Sequence, residues 1–294
     1  MRCMKFYIVT PAYNAAQWLP RCVRSVGDQV GGGIEVHHHV QDGGSDDGSA
    51  DWLAEWGAAH ADVPGYTFSY ESKADAGMYD AINKAWALLP EDADVTAHLN
   101  ADEQYLPGAL AEVAKQMPKN PRADVLLGVY IITDAGNQYI CHRCPVMPRE
   151  WASWMNCICI TNSSFYRASA FRRIAPRFDI QWKCLGDLLF FRDLLNRGMS
   201  FATIPVFTSL FVCTGDNLAW TGRAHEEWRR LCSQIPKWYR LANHLIYRWV
   251  NFKRRVVSLR IKAPAVYDAY AGDEEERTRY NIERPTVIWK KRVK

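Results

Sequence analysis

The apolar approach His98-Leu99 ends abruptly in Asn100-Ala101-Asp102-Glu103, and Tyr105-Leu106-Pro107-Gly108 then turns the chain into the helical pattern Ala109–Gln116. Carbonyl and carboxylate oxygens at a strand end are hard donors of the kind that suit Mg²⁺ or Mn²⁺. In an open α/β sheet, that edge is also where ligands collect. The alternative is a solvated turn with a helix N-cap, and the hexapeptide alone does not choose between them. Three upstream stretches bear on the choice: Pro11-Ala12-Tyr13-Asn14, Asp42-Gly43-Gly44-Ser45-Asp46-Asp47-Gly48-Ser49, and Glu71-Ser72-Lys73-Ala74-Asp75-Ala76-Gly77.

Each of these polar stretches follows a short apolar run. Lys5–Thr10, Ile34–Gln41, Tyr66–Tyr70 and Val95–Leu99 read as buried strands. Between them lie helical patterns: Leu19, Cys22, Val23 and Val26; then Ala50–His60; then Met78–Leu89, with Ile82, Ala85, Trp86 and Leu89 on one face. Four β-then-α units with short loops predict a doubly wound, mainly parallel sheet. All the polar strand ends would then open on one rim, as a cleft holding acceptors, a lysine and carboxylates. The first loop is no G-x-G-x-x-G, and no Walker lysine motif occurs.

Length and composition agree with a soluble α/β protein. The 294 residues are 48% hydrophobic and 23% charged, which excludes a disordered chain. No apolar run approaches the ~20 residues that span a bilayer. The N-terminus enters a strand pattern without a signal-peptide h-region, so a cytosolic location is expected. Nine scattered cysteines read as reduced thiols. Cys141-x₂-Cys144 with Cys157-x-Cys159 is a weak zinc candidate beside the simpler reading of buried free thiols. In His37-His38-His39 the middle ring of a strand faces away from its neighbours, which argues against a joint metal site.

The set IVTPAYNAAQWL, VQDGGSDDGS, ESKADAGMYDAINKA and LNADEQYLPGAL, in this order and spacing, resembles the N-terminal half of family 2 nucleotide-sugar glycosyltransferases. The resemblance implies an A-type, Rossmann-like fold and an inverting transfer from a nucleotide sugar, usually a UDP-sugar. It implies that Pro11, Tyr13 and Asn14 border the base and that Asp42 meets the uracil edge. Lys73, Asp75 and Gly77 would lie along the ribose and diphosphate, with Asn100 and Ala101 also bordering the donor. Asp102 would bear on a Mn²⁺ or Mg²⁺ ion. The chain departs from the family pattern at Asn100, where the first acid of the D-x-D-like element is a neutral amide.

In the second half, Asp124–Ile132 is strand-like. ITNSSFYRASAFRR, Arg177-Phe178-Asp179 and Gly186-Asp187-Leu188-Leu189 resemble the family's acceptor-side segment. The resemblance puts Asp187 at the position of the base, the carboxylate that takes the acceptor hydroxyl's proton. The alternative is that Asp187 caps the apolar helix Leu188–Leu195. Asp193 is a weaker candidate, at a position where the family usually has arginine.

From Trp228 to Tyr267 the chain has ten Lys or Arg and no Asp or Glu. Trp238, Leu241, Leu245, Trp249, Phe252, Val256 and Leu259 recur at spacings of three and four or their sums, an amphipathic pattern bordered by Arg240, Arg248, Lys253, Arg254 and Arg255. Such a helix suits an anionic membrane surface, with packing on the catalytic core or on a homodimer mate as the alternative. A nucleic-acid partner is not expected, since no fold for it is recognised. Asp273–Lys294 alternates in charge and is expected to be solvated.

The expected organisation is a catalytic domain over 1–225, divided into a nucleotide-sugar half (1–115) and an acceptor half (116–225), and a basic helical extension over 226–294. The expected function is metal-assisted glycosyl transfer to a glycan or lipid-linked saccharide, in the cytosol and peripheral to a membrane's inner face. Two other functions compete. A nucleotide-sugar-binding protein without turnover is favoured by Asn100. A sugar-phosphate nucleotidylyltransferase would want a glycine-rich, basic first loop, and Thr10–Leu19 has neither glycine nor lysine.

Overall fold

The computed structural model describes residues 3–156, 160–215, 222–272 and 274–289. Its first half alternates as the sequence predicts: β1 (Met4–Ala12), α1 (Leu19–Gly27), β2 (Ile34–Asp42), α2 (Ser49–Ala59), β3 (Tyr66–Ser72), α3 (Met78–Trp86) and β4 (Val95–His98). β1 is buried from Phe6 to Ala12 because it lies between β2 and β4, parallel to both. β3 extends the parallel set on the far side of β2.

The second half comprises β5 (Gln104–Tyr105), α4 (Ala109–Gln116), β6 (Val125–Asp134), β7 (Tyr139–Arg143), α5 (Glu150–Ser153), β8 (Ser164–Arg167), α6 (Ala168–Ile174), α7 (Gly186–Asn196) and β9 (Phe201–Cys213). These strands complete a nine-stranded sheet of order β3-β2-β1-β4-β8-β6-β9-β5, with β7 paired to β6. β8 runs antiparallel to both β4 and β6, whereas β6 and β9 are parallel. The result is a mixed α/β fold whose parallel half carries the loops that matter for the site.

Among the described residues the two largest apolar clusters pack against the sheet. One joins Tyr7, Ile82 and Trp86 to Phe178, Phe190 and Phe191, so α3 and α7 share a single core. Its centre is a run of stacked rings, with Trp86 5.6 Å and Phe178 4.2 Å from Phe190. The other cluster joins Ile8, Val26 and Leu99 to Leu110 and Phe165.

His38 is buried and held neutral, its pKa pushed down to about 3 by desolvation, with Nε2 2.9 Å from Thr10 Oγ1. His37 and His39 lie on the other side and share Ser69 Oγ, at 2.9 and 2.8 Å. The triplet is therefore split across the sheet. Cys141 and Cys144 are free and buried, and burial raises their thiols to about 12 and about 11. Cys157 and Cys159 lie outside the described residues.

Beyond β9 come α8 (Gly222–Gln234), α9 (Lys237–Ser258), β10 (Val266–Tyr270) and β11 (Arg277–Asn281). The expected boundary between 225 and 226 falls inside α8. The tail from 274 to 289 is exposed or partly exposed at every described position but Ile282, as expected of a solvated segment, yet it is folded and tied down. β10 and β11 form a hairpin, and the Arg277 guanidinium makes two bonds to Asp28, Nε–Oδ2 at 2.6 Å and Nη2–Oδ1 at 2.9 Å. Tyr267 and Ala269 of β10 pack with Leu106, Ile131 and Ile282, the last being the one buried position among the tail's described residues.

Candidate active site

Pro11, Tyr13, Asn14, Asp75, Gly77, Asn100, Ala101 and Asp102 all line one cleft of about 780 Å³ at the rim of the parallel strands. Hydrogen bonds between loops build it. Asn14, in the left-handed region at φ 46°, takes a bond from the Asp46 amide and donates its own amide to Ser45 Oγ. Asp47 accepts from the Ala16 amide, tying the acidic loop to the entrance of α1. The Tyr13 ring is 68% exposed on this rim, a flat apolar face offered to a ligand.

Gly43 makes the close approach there. A Cβ at this residue would lie 3.1 Å from the Tyr13 ring and 3.2 Å from Asp75 Oδ2. The other Asp75 oxygen accepts from the Gly77 amide at 2.7 Å, which fixes the turn into α3. Gly77 itself has φ 107°, a conformation that disfavours any side chain.

Two of the expected donor residues do not reach the cleft wall. Asp42 is fully buried behind it. Its Oδ2 accepts from the amides of Gly44 and Ser45 and from Ser72 Oγ, while Oδ1 accepts from Ser45 Oγ. Asp42 is thus the strut of the Gly43–Gly44 turn, and the turn faces the cleft. Lys73 is exposed outside the wall, and its backbone amide donates to the Asp42 carbonyl at 2.9 Å.

The turn after β4 is held from below by Glu103. Its carboxylate accepts from the Asn100 amide and from Asn162 Nδ2, each at 2.9 Å. Burial raises its pKa well above the carboxylate range, and Asp102 and Asp187 push in the same direction. Asp102 faces the cleft, and desolvation raises its carboxyl too, with Arg21 opposing. A third acid at position 100 would add charge to this crowded turn, which gives a physical reason for the neutral Asn100. Asn100 Oδ1 is buried with no hydrogen-bond partner among the described residues. Among the described residues no three His, Cys, Asp or Glu side chains converge on a metal-sized point. The Asp102 carboxylate and Asn100 Oδ1 nonetheless fit a hard cation of the kind bound by one carboxylate plus ligand phosphates and water.

Asp187 stands in the first turn of α7, whose N-cap is Leu185, so it does not occupy the cap position. The residue is partly exposed, yet its Oδ1 is fully buried and, among the described residues, without a hydrogen-bond partner. Desolvation pushes the carboxyl up to about 6, moderated by a hydrogen bond from Tyr79. Tyr79 lines the cleft, so Asp187 lies directly behind the wall. Gly186 permits this arrangement, since a Cβ there would overlap the Tyr79 ring. Asp193 instead forms a surface pair with Arg197 at 2.9 Å.

The glycosyl transferase family 2 model matches residues 7–184, more than half of the chain and every element of this cleft up to Lys183. The chain belongs to glycosyl transferase family 2. Its fold is similar to that of S. aureus TarS. The crystal structure of TarS residues 1–349 with UDP-GlcNAc aligns at a TM-score of 0.60 and 14% identity, over 78% of this chain and 64% of that one. The longer TarS structure aligns at 0.55 and 12% identity, over 94% and 60%. The chain thus spans about three fifths of the length of these structures. No curated protein sequence matches it.

As a family 2 member, the chain shows two cleft cations that its motifs did not announce. Lys183 and Arg223 line the wall, and Lys183 Nζ donates to the Ala76 carbonyl, across from Gly77. Lys183 is positioned from below. The Glu227 carboxylate, buried on α8, accepts from three consecutive amides, Lys183 at 2.6 Å, Cys184 at 2.9 Å and Leu185 at 3.0 Å. A lysine following a tryptophan gives no local signal, and neither does an acid forty residues away. Only the packing of α8 against α7 brings them together.

Proposed function

We propose that the chain transfers a sugar from a UDP-sugar to a hydroxyl of a glycan or lipid-linked saccharide, with inversion and with assistance from Mn²⁺ or Mg²⁺. The observation that carries this reading is the convergence of Tyr13, Gly43, Asp75 and Asp102 on one cleft. Tyr13 would stack on the base, with the Gly43–Gly44 turn and Asp75 forming the floor. Lys183 and Arg223 would take up charge as the diphosphate departs, an electrostatic task well suited to fixed cations in a partly dry site. Asp102 and Asn100 would hold the cation, which supplies further neutralisation of the diphosphate. Asp187 would accept the acceptor's proton as the new C–O bond forms and the bond to the diphosphate breaks on the opposite face.

A second reading, binding of a nucleotide sugar without turnover, is favoured by the amide at Asn100. The two are separated by measuring UDP release with Mn²⁺ present and a saccharide acceptor supplied. UDP-GlcNAc is the first donor to try, since TarS was crystallised with it. A transferase releases UDP in step with acceptor glycosylation. A binding protein holds the donor intact across a panel of UDP-sugars and acceptors, and that outcome would refute the proposal.

A further inference from the structure

α9 has two apolar faces, and the fold uses one. Tyr239, Ile246, Trp249 and Val250 face inward: Val250 joins the main core, Trp249 packs 4.9 Å from Trp151, and Tyr239 lies 5.5 Å from Trp154. The expectation that Trp249 belongs to a membrane-facing set is therefore corrected. Trp238, Leu241, Leu245, Phe252 and Leu259 remain outside, exposed by 58 to 83%. At 3.6 residues per turn these five fall within about 60° of arc, a single stripe along a helix about 33 Å long.

The exposed cations Lys237, Arg248 and Arg255 form a strip beside this stripe, and α9 carries no Asp or Glu. We infer that α9 lies along an anionic lipid surface, burying Trp238, Leu241, Leu245, Phe252 and Leu259 at the headgroup boundary while Lys237, Arg248 and Arg255 meet lipid phosphates. The helix lies along the bilayer and does not cross it: among the described residues no helix is long and apolar enough to span one. Charge decides the occupant. A two-fold dimer through this face would set each cation strip near its copy, with no acid on α9 to answer it. A nucleic-acid backbone would satisfy the cations and leave the five apolar side chains in water. An anionic bilayer answers both, apolar stripe and basic border together.

The inference is independent of the transferase reading, and each can fail without the other. The test is sedimentation of the full chain with phosphatidylcholine vesicles, with and without phosphatidylglycerol. Binding to the anionic vesicles is expected, with partial release at high salt as charges are screened. The Leu241→Ser/Leu245→Ser variant and the Lys237→Gln/Arg248→Gln/Arg255→Gln variant are each expected to weaken it by roughly tenfold or more. All five positions are exposed, so the unfolding temperature and UDP affinity of both variants should match wild type. The inference is overturned if the chain stays in the supernatant, if it binds neutral vesicles equally well, or if neither variant weakens binding. A dimer that Leu241→Ser/Leu245→Ser dissociates would overturn it too, by assigning the stripe to a second copy.

Discussion

Replacing Asp187 by Asn is expected to cut sugar transfer by roughly 10²-fold or more while leaving UDP-sugar affinity within a few-fold, the usual scale for losing a positioned base. The substitution keeps the shape and removes only the ability to accept a proton. Wild-type activity should also fall on the acid side of about pH 6, because the base works only when ionised and burial holds its pKa there. The hydrogen bond from Tyr79 lowers that pKa, so Tyr79→Phe should move the acid limb to higher pH. A merely structural Asp187 would leave the pH profile where it was.

The same variant carries a stability signature of opposite sign to its activity. With its folded-state pKa above the unfolded value, the ionised Asp187 costs stability above about pH 6, and the cost fades as pH falls toward the ordinary carboxylate range. Asp187→Asn should therefore be more stable than wild type at neutral pH, by about 3 kcal/mol, and nearly equal to it near pH 4. Denaturant unfolding at the two pH values reads this directly. Equal stability at both would contradict the buried, ionised carboxylate.

Asp102→Ala should remove the metal's share of UDP binding. In wild type, Mn²⁺ is expected to tighten UDP by roughly tenfold or more, since a lost ligand or its support commonly costs that much affinity. In Asp102→Ala, UDP should bind equally with and without the ion, at about the metal-free wild-type affinity. The variant also relieves the repulsion on Glu103, so its fold should not suffer. If Mn²⁺ leaves wild-type UDP affinity unchanged, the metal role of Asp102 and Asn100 falls.

The first half of the molecule was legible because its strands are continuous apolar runs and its loops change composition abruptly. Pro11 lies at the C-terminal end of β1, the residues Tyr13, Asn14, Asp75, Gly77 and Asp102 follow strand C-termini in sequence, and parallel packing puts those C-terminal ends on one rim. What sequence could not give was direction within a loop. Asp42 and Lys73 have the right types at the right places, yet Asp42 turns inward to hold the Gly43–Gly44 turn and Lys73 turns to solvent. The cleft's cations come from Lys183 and Arg223, which only tertiary packing delivers. The same limit applied to α9. Spacings of three and four showed one apolar pattern, while the fold turns its Trp249 inward beside Val250 and leaves an outer stripe from Trp238 to Leu259.

The central claim, that this cleft holds a uridine nucleotide, is tested most directly by calorimetric titration of wild type and Gly43→Val with UDP in the presence of Mn²⁺. The Gly43 Cα faces Tyr13 and Asp75 so closely that a branched side chain would fill the space assigned to the base. The expected result is one saturable site per chain in wild type, competed by UDP-sugars, and no detectable binding in a folded Gly43→Val variant. Absence of UDP binding to wild type, or undiminished binding to Gly43→Val, would contradict it.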